Sequence, residues 1–115
     1  MTEEPSELEP EDEKIVILAR SSRARTQAAE GAAVRDTDGR TYAATTVDLP
    51  SFRLTALQAA IAAAVSSGAE GLEAAAVVTD EPMVSGASVQ AVRDLAADAP
   101  IFRADLSGAV REIVR

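Results

Sequence analysis

The chain has 115 residues, the length of one domain, and 47% of them are hydrophobic, which is enough for a sizeable core. It carries 11 Lys and Arg against 19 Asp and Glu, a formal net charge of -8, so nucleic acids and anionic membranes are unfavourable partners. Cys and His are both absent, which excludes disulfides, Cys nucleophiles, His general bases and the ordinary thiolate or imidazole ligands of zinc.

The acidic charge is concentrated at the start of the chain. Residues 1–13 hold seven of the 19 acids and no base, whereas the remaining residues hold 12 acids and 11 bases. Pro5, Pro10 and the lack of aromatic residues predict a disordered acidic leader over residues 1–11, followed by one domain over residues 12–115. The leader lacks the positive start and apolar run of a secretion signal, and no stretch approaches the 18 or so apolar residues of a membrane span, so we expect a cytoplasmic protein.

The first half of the domain reads as a helix followed by an antiparallel pair of strands. Apolar residues at helical spacing predict a helix over about 12–27. A strand over 31–35 and a returning strand over 40–47 follow, joined by the Asp-Thr-Asp-Gly turn at 36–39, because Asp-Gly favours the positive φ of a hairpin turn. Pro50 should end the second strand.

The second half alternates helices and strands. We predict helices over about 54–67 and 85–97, a buried strand over 73–79, and two final strands over 100–105 and 109–114. A hairpin followed by strand–helix–strand units is typical of an α/β domain. The expected fold is a three-layer α/β/α arrangement, in which a mixed sheet of about five strands has helices on both faces.

Two of the predicted helices begin with hydroxyl residues. Thr55 is followed three residues later by Gln58, which is the capping-box pattern. Ser85 and Ser88 stand where the last helix should start. We therefore expect these hydroxyls to satisfy backbone N–H groups at the two helix starts. If the two starts converge, their positive ends could also hold a small anion such as phosphate or carboxylate.

The order of elements and several short motifs resemble the small zinc-dependent cytidine deaminases over roughly residues 12–115. In that family V-G-A-A leads to a D-G-R hairpin, N-V-E-N precedes S-Y-G-L-T, C-A-E starts a helix, and P-C-G-A-C-R-Q opens a later one. The matching stretches here are E-G-A-A at 30–33 with D-G-R at 38–40, T-V-D-L at 46–49 with S-F-R-L-T at 51–55, and V-S-G-A-S-V-Q at 84–90.

The resemblance implies roles for particular positions. In the family three Cys or His ligands hold zinc, and a Glu moves the proton between the activated water and the base. The helix that C-A-E opens ends in A-V-x-x-G in the family, which matches A-V-S-S-G at 64–68 here. Counting back from this match places the ligand positions on Thr55, Ser85 and Ser88 and the proton-shuttle position on Leu57. Counting forward instead places the first ligand position on Leu57 and the shuttle position on Ala59. Neither register supplies a thiolate, an imidazole or an acid, so we expect no zinc and no other cofactor.

Two further positions correspond to residues of the family's N-V-E-N motif that contact the ribose. Thr46 replaces an Asn and Asp48 replaces a Glu. Asp48 could still accept hydrogen bonds from a sugar, and the alternative is a solvated loop acid. Thr46 and Asp48 are therefore possible ligand-binding residues.

The resemblance also implies an assembly, because deaminases of this type form tetramers whose active sites are completed across subunits. We expect a homo-oligomer, either a dimer or a tetramer. The expected function is a catalytically inactive cytidine deaminase-like protein that serves as a nucleoside-binding or assembly module. The alternative is a pyrimidine nucleoside deaminase acting hydrolytically on cytidine or deoxycytidine.

Overall fold

A computed structural model describes residues 2–3 and 8–115, and these form three helices and eight strands. The helices are α1 (Pro10–Thr26), α2 (Ala56–Ser66) and α3 (Gly86–Leu95). The strands are β1 (Thr2–Glu3), β2 (Gly31–Asp36), β3 (Thr41–Thr45), β4 (Val47–Leu49), β5 (Phe52–Leu54), β6 (Leu72–Val78), β7 (Ile101–Ala104) and β8 (Val110–Val114). Among the described residues, no helix has both the length and the apolar character needed to cross a membrane.

Helix α1 begins at Pro10, two residues before its predicted start. Proline is favoured at the first helical position, because its fixed φ suits the helix and it has no N–H group to leave unpaired. Three acids in the first turn and two arginines in the last turn complement the helix dipole. The same helix therefore takes up two residues of the predicted leader.

Six strands form one mixed sheet in the order β1–β8–β7–β6–β2–β3. Strands β6 and β7 run parallel, and every other neighbouring pair is antiparallel. This confirms the predicted mixed sheet of about five strands, since five of the strands contain four or more residues and β1 contains only two.

Strand β1 lies within the segment that the sequence predicts to be disordered. Thr2 and Glu3 pair with Val114 and Ile113 of β8. The physical reason is the outer edge of β8, which would otherwise present unpaired N–H and C=O groups. The disorder of the leader as a whole stays a prediction. Residues 1 and 4–7, the rest of the leader before Leu8, lie outside the described residues.

The helices cover both faces of the sheet, which confirms the three-layer α/β/α architecture. Helix α1 packs on one face, and α2 and α3 pack together on the other. The buried apolar residues that the helices contribute are Ile15, Val16 and Ala19 on the first face, and Ala56, Leu57, Ala60, Ala64 and Val92 on the second. The core is therefore divided by the sheet into two halves.

The segment between β3 and α2 differs from the prediction. The strand expected over 40–47 ends with β3, and β4 and β5 then form a separate hairpin, in which Leu49 lies opposite Phe52. Pro50 lies in the turn of this hairpin instead of closing the preceding strand, and its fixed φ suits that position. Helix α2 begins at Ala56 as a result, directly after the hairpin and its capping residue.

Helix α1 approaches β2 closely at Gly31. A Cβ atom added there would collide with the carbonyl oxygen of Ala19 and with the Cβ of Arg23. Because the helix backbone occupies this space, only glycine fits without a shift of α1 or β2. The contact fixes the start of β2 and, with it, the position of the preceding residue, Glu30.

Candidate functional site

Thr55 caps the N-terminus of α2. Its Oγ1 accepts a hydrogen bond from the Gln58 backbone N at 3.1 Å, and Gln58 Oε1 accepts one from the Thr55 backbone N at 2.9 Å. This reciprocal pair is the capping box predicted from the sequence. It satisfies two backbone donors and fixes where α2 starts.

Ser85 caps the N-terminus of α3 in a similar way. Its Oγ accepts a hydrogen bond from the Ser88 backbone N at 3.2 Å. The Ser88 side chain is buried below the cap, with 3% of the residue exposed. Both predicted capping roles, those of Thr55 and Ser85, are therefore confirmed.

The two helix starts converge on one chain of hydroxyl groups. Ser85 Oγ donates to Ser88 Oγ at 3.0 Å, and Ser88 Oγ donates to Thr55 Oγ1 at 2.8 Å. Residues separated by 33 positions in the sequence thus share a hydrogen bond. We refer to Thr55, Ser85 and Ser88 as the hydroxyl cluster.

The hydroxyl cluster does not fit a zinc ion. A serine or threonine hydroxyl stays protonated near neutral pH, whereas zinc in proteins is held by thiolate, imidazole or carboxylate groups. The oxygens also already accept hydrogen bonds, from Ser88 N and Gln58 N as well as from each other. In the part of the chain that the structure describes, no three His, Cys, Asp or Glu side chains come together as a metal site.

The two alternative registers for the proton-shuttle position lead to different places. Leu57 is wholly buried in the core between the sheet and α2, and Ala59 is half-buried two residues further on. Thr55, and not Leu57, makes the contact with Ser88. We therefore propose the register in which Thr55 takes the first ligand position and Leu57 the shuttle position.

A cavity of about 410 Å³ opens beside Thr55. Its walls come from the start of β2, the β4–β5 hairpin, the first turns of α2 and the residues that follow β6. Ligand pockets are typically of this size. In open α/β sheets they commonly lie at the carboxyl ends of strands, as this one does at β6. The cavity is therefore the candidate binding site.

Thr46 and Asp48, predicted as possible ligand-binding residues, both line the cavity. Thr46 Oγ1 accepts a hydrogen bond from the Glu30 backbone N at 3.0 Å, so this hydroxyl holds the entry to β2. Asp48 forms an ion pair with Arg53 across the hairpin, with 3.1 Å between Oδ1 and Nε. Both side chains of this pair are about three-quarters exposed, so the pair contributes little to stability.

Gln58 and Thr79 are among the lining residues that the sequence does not predict as site residues. Gln58 enters the lining because its capping role holds it at the first turn of α2. Thr79 is buried, directly follows β6, and accepts a hydrogen bond from the Glu81 backbone N at 3.1 Å. A hydroxyl immediately after a buried strand is the sequence signal that could have identified it.

The charged lining of the cavity is mostly acidic. Glu30, Asp48, Asp80 and Glu81 stand against one cation, Arg53, which is paired with Asp48. This charge disfavours phosphate and carboxylate ligands. Three backbone N–H groups at the two helix starts are also already engaged: those of Thr55, Gln58 and Ser88 donate to Gln58 Oε1, Thr55 Oγ1 and Ser85 Oγ, respectively. The geometry thus disfavours the small-anion alternative.

A carboxylate network lies at the opposite end of β2, away from the cavity. Asp36 accepts hydrogen bonds from the Tyr42 hydroxyl at 2.8 Å and from the backbone N of Asp38 and Arg40, each at 2.9 Å. Burial acts to raise the pKa of Asp36, but these bonds outweigh it and lower the pKa below its usual value. The bond to Asp36 raises the pKa of Tyr42.

A second carboxylate network closes the turn between β7 and β8. Asp105 accepts hydrogen bonds from Ser107 Oγ at 2.6 Å, from Arg111 Nε at 2.8 Å, and from the backbone N of Ser107 and Ala109. Led by the Ser107 hydroxyl, these bonds hold the pKa of Asp105 well below its usual range. Neither Asp36 nor Asp105 lines the cavity.

Several solved structures of cytidine deaminases resemble this chain. The enzyme from Burkholderia pseudomallei superimposes with a TM-score of 0.74 at 23% identity, covering 86% of this chain and 88% of that one. The enzyme from Mycobacterium leprae gives a TM-score of 0.67 at 21% identity, covering 86% and 90%. A mutant of the Mycobacterium tuberculosis enzyme gives 0.67 at 26% identity, covering 76% and 79%. These likenesses define the class of fold.

A family model described as cytidine deaminase-like matches residues 8–108. The chain therefore belongs to the cytidine deaminase-like family, which confirms the resemblance read from its motifs. No curated protein matches the sequence.

Proposed function

We propose that this chain is a catalytically inactive member of the family that binds a nucleoside in the cavity beside Thr55. The observation that carries the proposal is the hydroxyl cluster. It stands at two converging helix starts, its oxygens share hydrogen bonds, and in the proposed register its three residues take the positions of the family's zinc ligands. On this interpretation the scaffold is kept and the chemistry is lost.

The argument for inactivity is energetic. Water bound to catalytic zinc has a pKa of about 7, whereas bulk water has a pKa of about 15.7. The difference of roughly nine units corresponds to about 12 kcal/mol of deprotonation free energy. Leu57, at the proton-shuttle position of the favoured register, is a buried hydrocarbon side chain that can neither give nor take a proton.

The argument for nucleoside binding rests on the size and polarity of the cavity. About 410 Å³ is enough space for a nucleoside. Thr55 and Gln58 offer hydrogen-bonding groups on the less exposed side, and the carboxylates of Asp48 and Glu81 can accept bonds from sugar hydroxyls on the more exposed side. The acidic lining favours a nucleoside over its phosphorylated forms.

The proposal is tested on the purified chain with two measurements. Thermal unfolding in millimolar pyrimidine nucleoside should shift to higher temperature, because a ligand that binds only the folded state stabilises it. Absorbance of cytidine and deoxycytidine should stay constant over the same period. A Ser85→Ala preparation is the matched control for contaminating deaminase. Turnover above that control contradicts the proposed inactivity, and the absence of any thermal shift contradicts the proposed binding.

One observation favours a second candidate function, that of an assembly module. Leu49 and Phe52 are each 55% exposed and lie directly opposite one another on the β4–β5 hairpin. A pair of exposed apolar side chains on an isolated two-stranded hairpin is typical of a contact surface. We propose that this pair contributes to a homo-oligomer.

Light scattering tests this second candidate. The chain should be larger than a monomer, and Leu49→Ser/Phe52→Ser should shift it towards monomer. Val65→Ser is the matched control, because Val65 is exposed to a similar degree but lies near the end of α2. A monomer at every concentration, or an equal effect of the control, contradicts the role of the hairpin.

A further inference from the structure

We infer that the cavity binds a pyrimidine nucleoside with an oxo group at the base edge opposite the sugar, as in uridine, in preference to one with an amino group there, as in cytidine. The inference rests on the proposed function, which supplies the class of ligand. The inference depends on which groups of the cavity lining donate hydrogen bonds and which accept them.

Thr55 presents a hydrogen-bond donor to the cavity. Its Oγ1 accepts bonds from Ser88 Oγ and from Gln58 N. No residue of the described chain accepts its own hydroxyl proton. The series of hydrogen bonds from Ser85 through Ser88 therefore ends at Thr55, whose hydroxyl proton is unused. Consecutive hydrogen bonds of this kind strengthen one another.

Gln58 presents two more donors. Its Oε1 is occupied by the Thr55 backbone N at 2.9 Å, which fixes the orientation of the carboxamide. The amide N–H groups on the other side find no acceptor among residues 2–3 and 8–115. Since Gln58 lines the cavity, these groups are available to a ligand.

Thr79 completes the set. It lines the cavity from the end of β6, and 2% of the residue is exposed. Its Oγ1 already accepts a bond from the Glu81 backbone N, and the described residues offer no acceptor for its proton. Thr55, Gln58 and Thr79 are half-buried or buried, so the less exposed lining carries these three sets of spare donors beside one half-buried carboxylate, Glu30.

The more exposed lining carries acceptors instead. Asp48, Asp80 and Glu81 are carboxylates on exposed residues. Sugar hydroxyls donate to carboxylates, so a nucleoside fits with its sugar outward and its base directed at the spare donors. An oxo group accepts from those donors. An amino group would face them with further N–H groups and leave both sides unpaired, and sites built for hydrogen bonding reject such mismatches.

Isothermal titration of the whole chain with uridine and with cytidine tests the inference. Uridine should bind about tenfold more tightly, the factor that one hydrogen bond of ordinary strength supplies. Gln58→Glu replaces the amide donors with an acceptor and keeps an oxygen for the Thr55 cap, so the fold should survive. In this variant the preference should shift towards cytidine by a similar factor. Gln90→Glu is the matched control, because it adds the same charge on an exposed position of α3.

The outcomes separate the inference from the proposed function. Equal binding, or tighter binding of cytidine, overturns the inference and leaves nucleoside binding intact. Binding of neither nucleoside overturns both. Glu30 is half-buried and also lines the cavity, so a cytidine preference that Glu30→Gln removes would assign recognition of the amino group to that carboxylate instead. An unchanged uridine preference in Gln58→Glu contradicts the role of Gln58.

Discussion

The turn around Asp36 and the hydroxyl cluster are both built from short polar side chains at the ends of helices or strands. They differ in charge and in whether every hydrogen-bonding group has a partner. Asp36 is a charged acceptor whose bonds all come from within its own turn and strand pair. The hydroxyl cluster is neutral, joins two helices, and has a proton left over at Thr55. A charge-assisted network of the first kind stabilises the fold. The second kind can serve a ligand as well.

The largest effect is expected when cysteines replace the hydroxyl cluster, because they should create a metal site. Thr55→Cys/Ser85→Cys/Ser88→Cys supplies three thiolates at neighbouring positions. The Ser88 oxygen now lies 2.8 Å from that of Thr55 and 3.0 Å from that of Ser85. Three protein ligands and a water are a common zinc site. The variant should retain about one zinc ion per chain by elemental analysis, and its cobalt form should show thiolate charge-transfer absorbance.

The control for this variant decides between the two registers. Leu57→Cys/Ser85→Cys/Ser88→Cys carries the same number of thiols, but position 57 is wholly buried among apolar side chains, whereas Thr55 forms the hydrogen bond with Ser88. It should retain much less zinc than the variant with a thiol at position 55. The reverse result, with zinc only in the Leu57 variant, would show that Thr55 was assigned to the wrong position.

Removing the Asp36 carboxylate should lower stability more than any single change in the hydroxyl cluster, because three donors lose their acceptor. The pKa of Asp36 is lowered in the folded state, so its contribution is complete above the unfolded value of about 3.9 and is lost as the pH falls through the folded value. Asp36→Ala should therefore reduce the urea midpoint at pH 7, and the difference from wild type should narrow at pH 3.

Asp38→Ala is the matched control for Asp36→Ala. Asp38 is an exposed acid in the same turn, and it takes part through its backbone N. Its replacement should leave the urea midpoint nearly unchanged at both pH values. An equal loss in the two variants would assign the effect to the turn in general and not to the buried carboxylate.

A smaller loss is expected at the helix cap. Thr55→Val keeps the shape of the side chain but removes the acceptor for Gln58 N and for Ser88 Oγ, and it should cost about 1 kcal/mol of unfolding free energy. Thr55→Ser retains the oxygen and should cost clearly less. Chemical denaturation measures both, and equal losses would show that the methyl group matters more than the cap.

The smallest effect is expected at the exposed ion pair of the hairpin. Arg53→Ala removes the partner of Asp48, and both side chains are largely exposed. The unfolding free energy should change by no more than about 0.5 kcal/mol, and less at high salt. A larger loss in denaturant melts would show that the pair supports the hairpin more strongly than its exposure indicates.

The fold was predictable where burial follows a local period. The sequence predicts all three helices and strands β2, β6, β7 and β8, because each buries an apolar face of its own. The β4–β5 hairpin was missed, because its three-residue strands are too short and too exposed to show alternation. Strand β1 was missed because its pairing depends on the free edge of β8, which leaves no mark on the acidic segment itself.

The candidate site was predictable in part. The capping pattern located the Thr55 and Ser85 hydroxyls, since capping is a local property of sequence. The contact between Ser88 and Thr55 depends on how α2 packs against α3, and only the family resemblance pointed to it. The spare donors of Gln58 and Thr79 depend on which of their atoms the fold already occupies, and no sequence pattern records that.

The close approach at Gly31 affects how a substitution screen of this protein should be interpreted. Any side chain at this position pushes α1 away from the sheet, and the disturbance would reach Glu30 in the cavity wall. A loss of ligand affinity at position 31 would then report helix–sheet spacing rather than recognition. A screen that measures both the amount of folded protein and ligand binding separates these two causes. Substitutions of Gly31 should lower the amount of folded protein.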